Sequence, residues 1–156
     1  MDNTSTKESA LAVSLSIQND DWNKLDSLLD ENFTYTGDGL IFNKDEYIGF
    51  MQDMKSALSG MKMEFKQVLV DGEYVTIHFT SRAKNTGKFM GAPATKKDIE
   101  VHGTLIRQMR DGKAIQEWQT TDLLGLMTQM GFGALLGYSI AVGLFKSKPK
   151  KPVRKS

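Results

Sequence analysis

Residues 98–121 read DIEVHGTLIRQMRDGKAIQEWQTT, two alternating runs on either side of Asp111-Gly112. Alternation with a period of two sends successive side chains to opposite faces of a strand. An Asp-Gly pair between two such runs signals a hairpin, because both residues tolerate the left-handed backbone of a tight turn. On the first strand Ile99, Val101, Gly103, Leu105 and Met109 share one face, with Arg107 as its single charge. That face is read as inward. Two registers are open for the partner strand. A two-residue turn sets Leu105 opposite Trp118, whereas a three-residue turn with a glycine bulge sets Gly103 opposite Gln119 and Leu105 opposite Glu117.

Working outward, Met61, Met63 and Phe65 alternate against Lys62, Glu64 and Lys66, and Asp71-Gly72 punctuates a second hairpin. The earlier half of the chain has a helical period instead. Ser5 and Glu8 have capping-box spacing ahead of an apolar run whose residues Ala10, Val13 and Ile17 suit a helix, although Leu11, Val13, Leu15 and Ile17 also alternate. Asp20 or Asp21 caps a short helix carrying Trp22, Leu25 and Leu28/Leu29, and FTYTGDG follows as a brief strand ending in a Gly-rich turn. Asn43 and Glu46 repeat the capping spacing before the stripe Tyr47, Phe50/Met51, Met54 and Leu58, with Gly60 as the residue that ends the helix. Helices first and long hairpins afterwards describe an α+β domain with helices on one face of a curved antiparallel sheet.

Composition narrows the function classes. The chain has 156 residues, 40% of them hydrophobic, which suffices for one core. It has no cysteine, so disulfides, thiolate metal sites and a cysteine nucleophile are excluded. The N-terminal MDNTSTKESA lacks the apolar stretch of a secretory signal, so the expected location is cytoplasmic. Lys146, Lys148, Lys150, Lys151, Arg154 and Lys155 sit in a tail without acidic residues, so the net charge of +1 conceals an acidic body of −5 and a tail of +6. Such a body is not a nucleic-acid-binding face, and no nucleic-acid partner is expected. His78 and His102 lie on the opposite strand face from the inward set, without ligands at metal-site spacing, so no metal is expected. The glycines of TGKFMGAPATKKDIEV, residues 86–101, lack the Gly-Lys-Ser/Thr and the following helix of a phosphate loop, so no nucleotide is expected either.

That loop, followed by RDGKAIQEW, TTD and LLGLMTQMG, resembles the SnoaL-like polyketide cyclase family, with its G-x-[FL]-x-G-x-P-x-T loop, its R-x-x-D-G-K-I strand, a Trp, an Asp and a closing helix ending in Q-[LM]-G. The resemblance spans most of residues 5–131. It implies a nuclear-transport-factor-two-like (cystatin-like) cone: a bent sheet wrapped around N-terminal helices, an interior pocket for a small, largely apolar ligand of polyketide, steroid or terpenoid type, no cofactor, and homodimers packed through the sheet. It assigns residues 1–131 to the cone and leaves 132–156 as an apolar extension with a basic tail. It also favours the three-residue turn, so that Glu117 and Gln119 face the cavity beside Gly103, whose missing side chain leaves room. Val101, Gly103, Leu105, Arg107 and Trp118 form the expected ligand-contacting set.

The chain departs from the family's cyclases at the reacting positions. Where the resemblance implies an acid/base Asp, a His on the preceding strand and an Asn on the first strand, this sequence has Gln119, Leu105 and Tyr35; Asn85 replaces a His before the loop. Glutamine exchanges no proton near neutral pH and leucine offers no hydrogen bond. Two readings follow for the pocket: proton-transfer chemistry of a cyclase or isomerase type, carried by Glu117, Gln119 and Tyr35, or ligand binding without catalysis. In the second, Glu117 merely neutralises Arg107 and Asp122 caps the last helix. A third reading makes the sheet surface of a dimer the working part. The charge-free stretch Leu123–Phe145 leaves GFGALLGYSIAVGLF beyond the closing helix, short for a bilayer span, and with the basic tail it suggests either peripheral attachment to a membrane surface or a helix folded back on the domain.

Overall fold

The computed structural model of the chain describes residues 3–89, 93–131, 136 and 140. Three helices, α1 (Asn3–Gln18), α2 (Trp22–Leu28) and α3 (Lys44–Ala57), and a short closing helix α4 (Leu123–Met130) accompany the strands β1 (Leu29–Gly37), β2 (Leu40–Asn43), β3 (Leu58–Asp71), β4 (Tyr74–Asn85), β5 (Asp98–Arg110) and β6 (Lys113–Thr121). The six strands form one curved, unclosed sheet in the order β2-β1-β6-β5-β4-β3. Neighbours run antiparallel except for β1 and β6, which are parallel. The alternating and helical periods imply the α+β class, and the family resemblance implies the cone.

Helices α2 and α3 start where a side chain meets free backbone amides. Asp21 accepts from the Lys24 amide, and Asn43 and Glu46 form a reciprocal capping box, with the Glu46 amide 3.0 Å from Asn43 Oδ1. Helical burial wins in α1, where Ala10, Val13 and Ile17 enter the core while Leu15 stays exposed. Ser5 and Glu8 lie inside this helix, which is already formed at Asn3, so their spacing marks no cap.

Two boundaries differ from the sequence reading. The four residues Leu40–Asn43 form a strand, paired to β1 through a tight turn in which Asp38 and Gly39 both have positive φ. Helix α3 ends at Ala57 rather than near Gly60, whose φ of 64° falls in β3 where the pairing with β4 shifts between Ser59 and Lys62. Gly60 therefore serves a bulge, the other structure that needs a left-handed glycine.

The long connection after β4 is fastened at both ends. The amides of Thr86 and Gly87 donate to the Ala57 carbonyl at 2.9 and 3.0 Å, and Gly87 lies so close that a Cβ there would stand 2.9 Å from the Ala57 Cα. Met90, Gly91 and Ala92 fall outside the described residues. On the return, Thr95 donates to Asn85 Oδ1 through its amide, at 2.6 Å, and its hydroxyl, at 3.0 Å. We expect Gly87→Ala to lower the unfolding free energy by about 1–3 kcal/mol, the usual cost of forcing atoms into a packed site, because the obstructing atom belongs to backbone. Urea denaturation checks this; an unchanged midpoint would show that the loop is not anchored through this contact.

Candidate functional site

The first geometric question is the register of β5 against β6. Asp111 and Gly112 have φ of 50° and 80°, so the turn has two residues, and Arg110 pairs with Lys113 and Met109 with Ala114. Gln108, however, pairs with Gln116, leaving Ile115 as an extra residue in β6. The bulge moves Leu105 opposite Gln119, Arg107 opposite Glu117 and Gly103 opposite Thr121. Neither register read from the sequence is the one formed, because a turn count alone does not register a bulge inside a strand.

The concave sheet face and the helices enclose a cavity of about 150 Å³. Its wall is rich in methionine and aromatic side chains: Met51, Met54, Met61, Met63, Met130, Phe50, Phe79 and Phe89, with Tyr35 and Tyr47. An unbroken series of ring contacts at 5.1–5.7 Å runs Phe33, Tyr47, Tyr35, Phe42, Phe50 and Phe89, giving one side of the cavity a stiff aromatic lining.

At one end of the cavity Arg107 and Glu117 are almost fully buried, at 1% and 0% exposure. Both Nε, at 2.7 Å, and Nη2 of Arg107 donate to Glu117 Oε2, a two-pronged contact. Nη1 donates to the Ala10 carbonyl and to Ser14 Oγ on α1. The other carboxylate oxygen, Oε1, accepts from the Tyr47 hydroxyl at 3.3 Å. Burial, and next the Glu117 carboxylate, push the Tyr47 phenol well above its ordinary pKa, against the pull of the Arg107 guanidinium. Tyr47 therefore stays a donor, and Glu117 is held by partners on both oxygens.

At the other end the polar groups are looser. Gln119 Nε2 donates to Thr121 Oγ1 at 3.0 Å, and the Thr121 amide donates to Asp38 Oδ1 at 2.9 Å. Helix α4, capped by Asp122 through the Gly125 amide at 2.8 Å, packs Met127 and Met130 on Ile99 and adds Leu123, Leu126 and Met130 to the cavity wall. Gln129 of α4 makes a reciprocal pair with the backbone of Glu100, its Oε1 accepting from the amide and its Nε2 donating to the carbonyl, both at 2.8 Å. The side chain thus continues the β5 ladder beyond the last backbone bond from β6, that of the Asp122 amide to the His102 carbonyl.

The structure brings Tyr35, Val101, Leu105, Arg107, Glu117 and Gln119 together on the cavity wall. Two members of the sequence-derived set need correction. Trp118 pairs with Thr36 and Ile106 on the outer sheet face, since its neighbours Glu117 and Gln119 point inward. Gly103 opens no space for a ligand: a Cβ there would stand 2.6 Å from Phe79 Cζ, so the ring of Phe79 already fills it. Sequence reasoning missed Tyr47 and Asp38 as cavity groups, because they looked like ordinary helix-stripe and turn residues, and it noted Asn85 only as a replaced histidine and not as the residue that ties the loop. Among the described residues no three His, Asp or Glu side chains cluster as metal ligands.

The profile of the SnoaL-like polyketide cyclase family matches residues 9–130. No curated protein matches the sequence significantly. Among solved structures, AclR from Streptomyces galilaeus, a proposed hydroxylase, superposes with a TM-score of 0.76 at 17% identity, covering 83% of this chain and 98% of its own. IdmH from Streptomyces antibioticus, a proposed polyketide cyclase, gives 0.73 at 17% identity, covering 81% and 98%. An epoxide hydrolase of the LEH-like type from M. tuberculosis gives 0.66 at 15% identity, covering 93% and 98%. At these identities the likeness shows the cone fold.

Tyr47 offers a direct test of the buried network. Its folded-state pKa is raised, so the stability it contributes is intact below the unfolded value of about 10 and is lost as pH rises through that region toward the folded value. Urea midpoints measured from pH 8 upward should therefore fall more steeply above about pH 10 in the native chain than in Tyr47→Phe. Parallel curves would mean that the phenol is not held neutral by its surroundings.

Proposed function

Because the chain belongs to the SnoaL-like polyketide cyclase family, we propose that its cavity binds a small, largely apolar ring compound and that binding, rather than aldol-type proton transfer, is its activity. The observation that carries this reading is the engagement of Glu117. Arg107 holds one carboxylate oxygen and Tyr47 the other, which leaves the carboxylate poorly placed to take a proton from a substrate carbon. Gln119 and Leu105 occupy the positions where the family resemblance implies an acid/base pair, and neither exchanges protons at neutral pH. The named structures are a proposed cyclase, a proposed hydroxylase and an LEH-like epoxide hydrolase, so the shared cone does not by itself select a reaction.

Size limits the ligand. A cavity of about 150 Å³ matches one aromatic ring more closely than a fused tetracycle. The methionines of its wall can yield to a somewhat larger body, since unbranched thioether side chains repack at little cost. Polyketide-, steroid- and terpenoid-like compounds of one or two rings are the class proposed, oriented by hydrogen bonds to Gln119, Thr121 and Tyr35. As a probe, 1-naphthylamine, a two-ring fluorophore, should shift its emission to shorter wavelength on binding the intact protein, and Val101→Trp, which fills the cavity, should weaken that binding by roughly tenfold or more, about 1.4 kcal/mol. Unchanged probe affinity in a Val101→Trp protein with native circular dichroism would remove the cavity as the binding site.

The outer sheet face supports a homodimer. Directly paired residues make one row across all six strands: Ile41, Thr36, Trp118, Ile106, Thr76 and Leu69. Ile41 and Leu69 are 76% and 66% exposed, and no charge interrupts the row. Charged groups lie in other rows, Arg82 with Glu64 and Glu100, and Arg110 with Glu73. An uncharged row that crosses the whole sheet, flanked by charge pairs, is suited to a twofold contact with itself. Sedimentation at micromolar concentration should give a dimer for the native chain and a monomer for Ile106→Glu. A monomeric native chain overturns this assembly.

A further inference from the structure

We infer that the end of the cone closed by α4 docks on an anionic membrane surface. The inference does not depend on what the cavity binds. Helix α4 is apolar on more than one side: Leu123, Leu126 and Met130 line the cavity and Met127 packs on Ile99, while Leu124 points away from both and is 68% exposed. An exposed leucine alone would mean little. Here two further apolar residues downstream, Leu136 and Ile140, are also exposed, at 52% and 39%. No charged residue occurs from Leu123 to Phe145.

Charge supplies the second, independent observation and selects the partner. Immediately after this charge-free run come Lys146, Lys148, Lys150, Lys151, Arg154 and Lys155, with no acidic residue among them. The body of the protein carries a net −5, so the tail's positive charge is separated from the acidic body by the apolar run. Apolar side chains next to a polybasic segment are the combination that binds anionic headgroups: the first enter the interface and the second is drawn by the negative surface potential. Span is a different matter. The fifteen residues from Gly131 to Phe145 fall short of the roughly 20 needed to cross a bilayer, and among the described residues no helix is long and apolar enough to do so.

Docking by this end has a geometric consequence. The helix that roots the extension is also a wall of the cavity, so a surface-bound molecule presents that wall to the lipid. An apolar compound dissolved in the membrane would then meet α4 before any other part of the cone.

The test uses the full-length chain in flotation with vesicles of phosphatidylcholine alone and of phosphatidylcholine with phosphatidylserine. The native protein should float with the anionic vesicles and remain below with the neutral ones, and added salt should release it. Changing the six basic tail residues together to Gln should lower recovery by roughly tenfold or more, since each contributes separately near a charged surface. Leu124→Gln, at a site already exposed, should lower it several-fold without altering circular dichroism. Failure of the native chain to float with anionic vesicles overturns the proposal and favours an extension folded on the domain. So does equal flotation with both vesicle types, or full recovery of either variant.

Discussion

The pair formed by Arg107 and Glu117 is the interaction on which the remaining structure is arranged. It joins β5 to β6, reaches α1 through the Ala10 carbonyl and Ser14, and reaches α3 through Tyr47. Placing two charges in so dry a location gains little net stability over an apolar pair of the same volume. Breaking it is different: one charge left alone costs about 3–5 kcal/mol, a large part of the roughly 5–15 kcal/mol available to a folded domain. The pair therefore acts less as glue than as a constraint. Any packing of α1 and α3 that fails to supply its hydrogen-bond partners is penalised, and among the described residues no buried side-chain polar atom lacks one.

The same constraint shapes the cavity chemistry. A carboxylate in apolar surroundings is a promising base only while one of its oxygens can face a substrate. Here the bulge at Ile115 sets Glu117 directly across from Arg107 rather than from Leu105, and Tyr35 of β1 lies on its other side in the parallel pairing. Two residues of register thus separate a Glu117 paired with a guanidinium from one set across from Leu105. Gln119, directly opposite Leu105, is left as the nearest polar neighbour for a bound molecule on β6, and it is a hydrogen-bonding group without an ionisation near neutral pH.

Much of this fold was legible because its signals are local. The alternating strands, the Asp111-Gly112 turn and the Asn43–Glu46 capping box each follow from residues within a few positions of one another, and the family resemblance supplied the cone into which they assemble. The misreadings share a cause, which is information held elsewhere in the chain. Gly60 looks like a helix terminator in its own neighbourhood, but it bends β3 against β4. Gly103 looks like open space until Phe79, on the adjacent strand, is placed against it. Trp118 joined the expected site only through a register that a single extra residue removes. Asp38 and Tyr47 carried no local mark at all, since a turn aspartate and a helix-stripe tyrosine are common, and their place beside the cavity depends on contacts seventy or more residues away in sequence.

The two ends of the cavity are held by different physics, and that difference bears on how such a fold diversifies. Around Arg107 the backbone is in ladders on both sides and the side chains form a closed network, so substitution there threatens the whole domain. Eight residues back along β5, at Ile99, the ladder with β4 persists, but on the other side single side chains stand in for backbone: Gln129 continues the ladder at Glu100, and Asn85 adds its side chain to the loop through Thr95. Asp38 similarly fastens the end of β6 through the Thr121 amide. Elements held by a few exposed hydrogen bonds open at lower free energy than core strands. Opening at α4 would thus loosen the Gln129 pair and the packing of Met127 and Met130 on Ile99, while the charged end stays fixed. Substitution at the α4 end therefore costs folding less than substitution at the charged end, which is the physical condition for a cone to vary one end of its cavity while keeping the other.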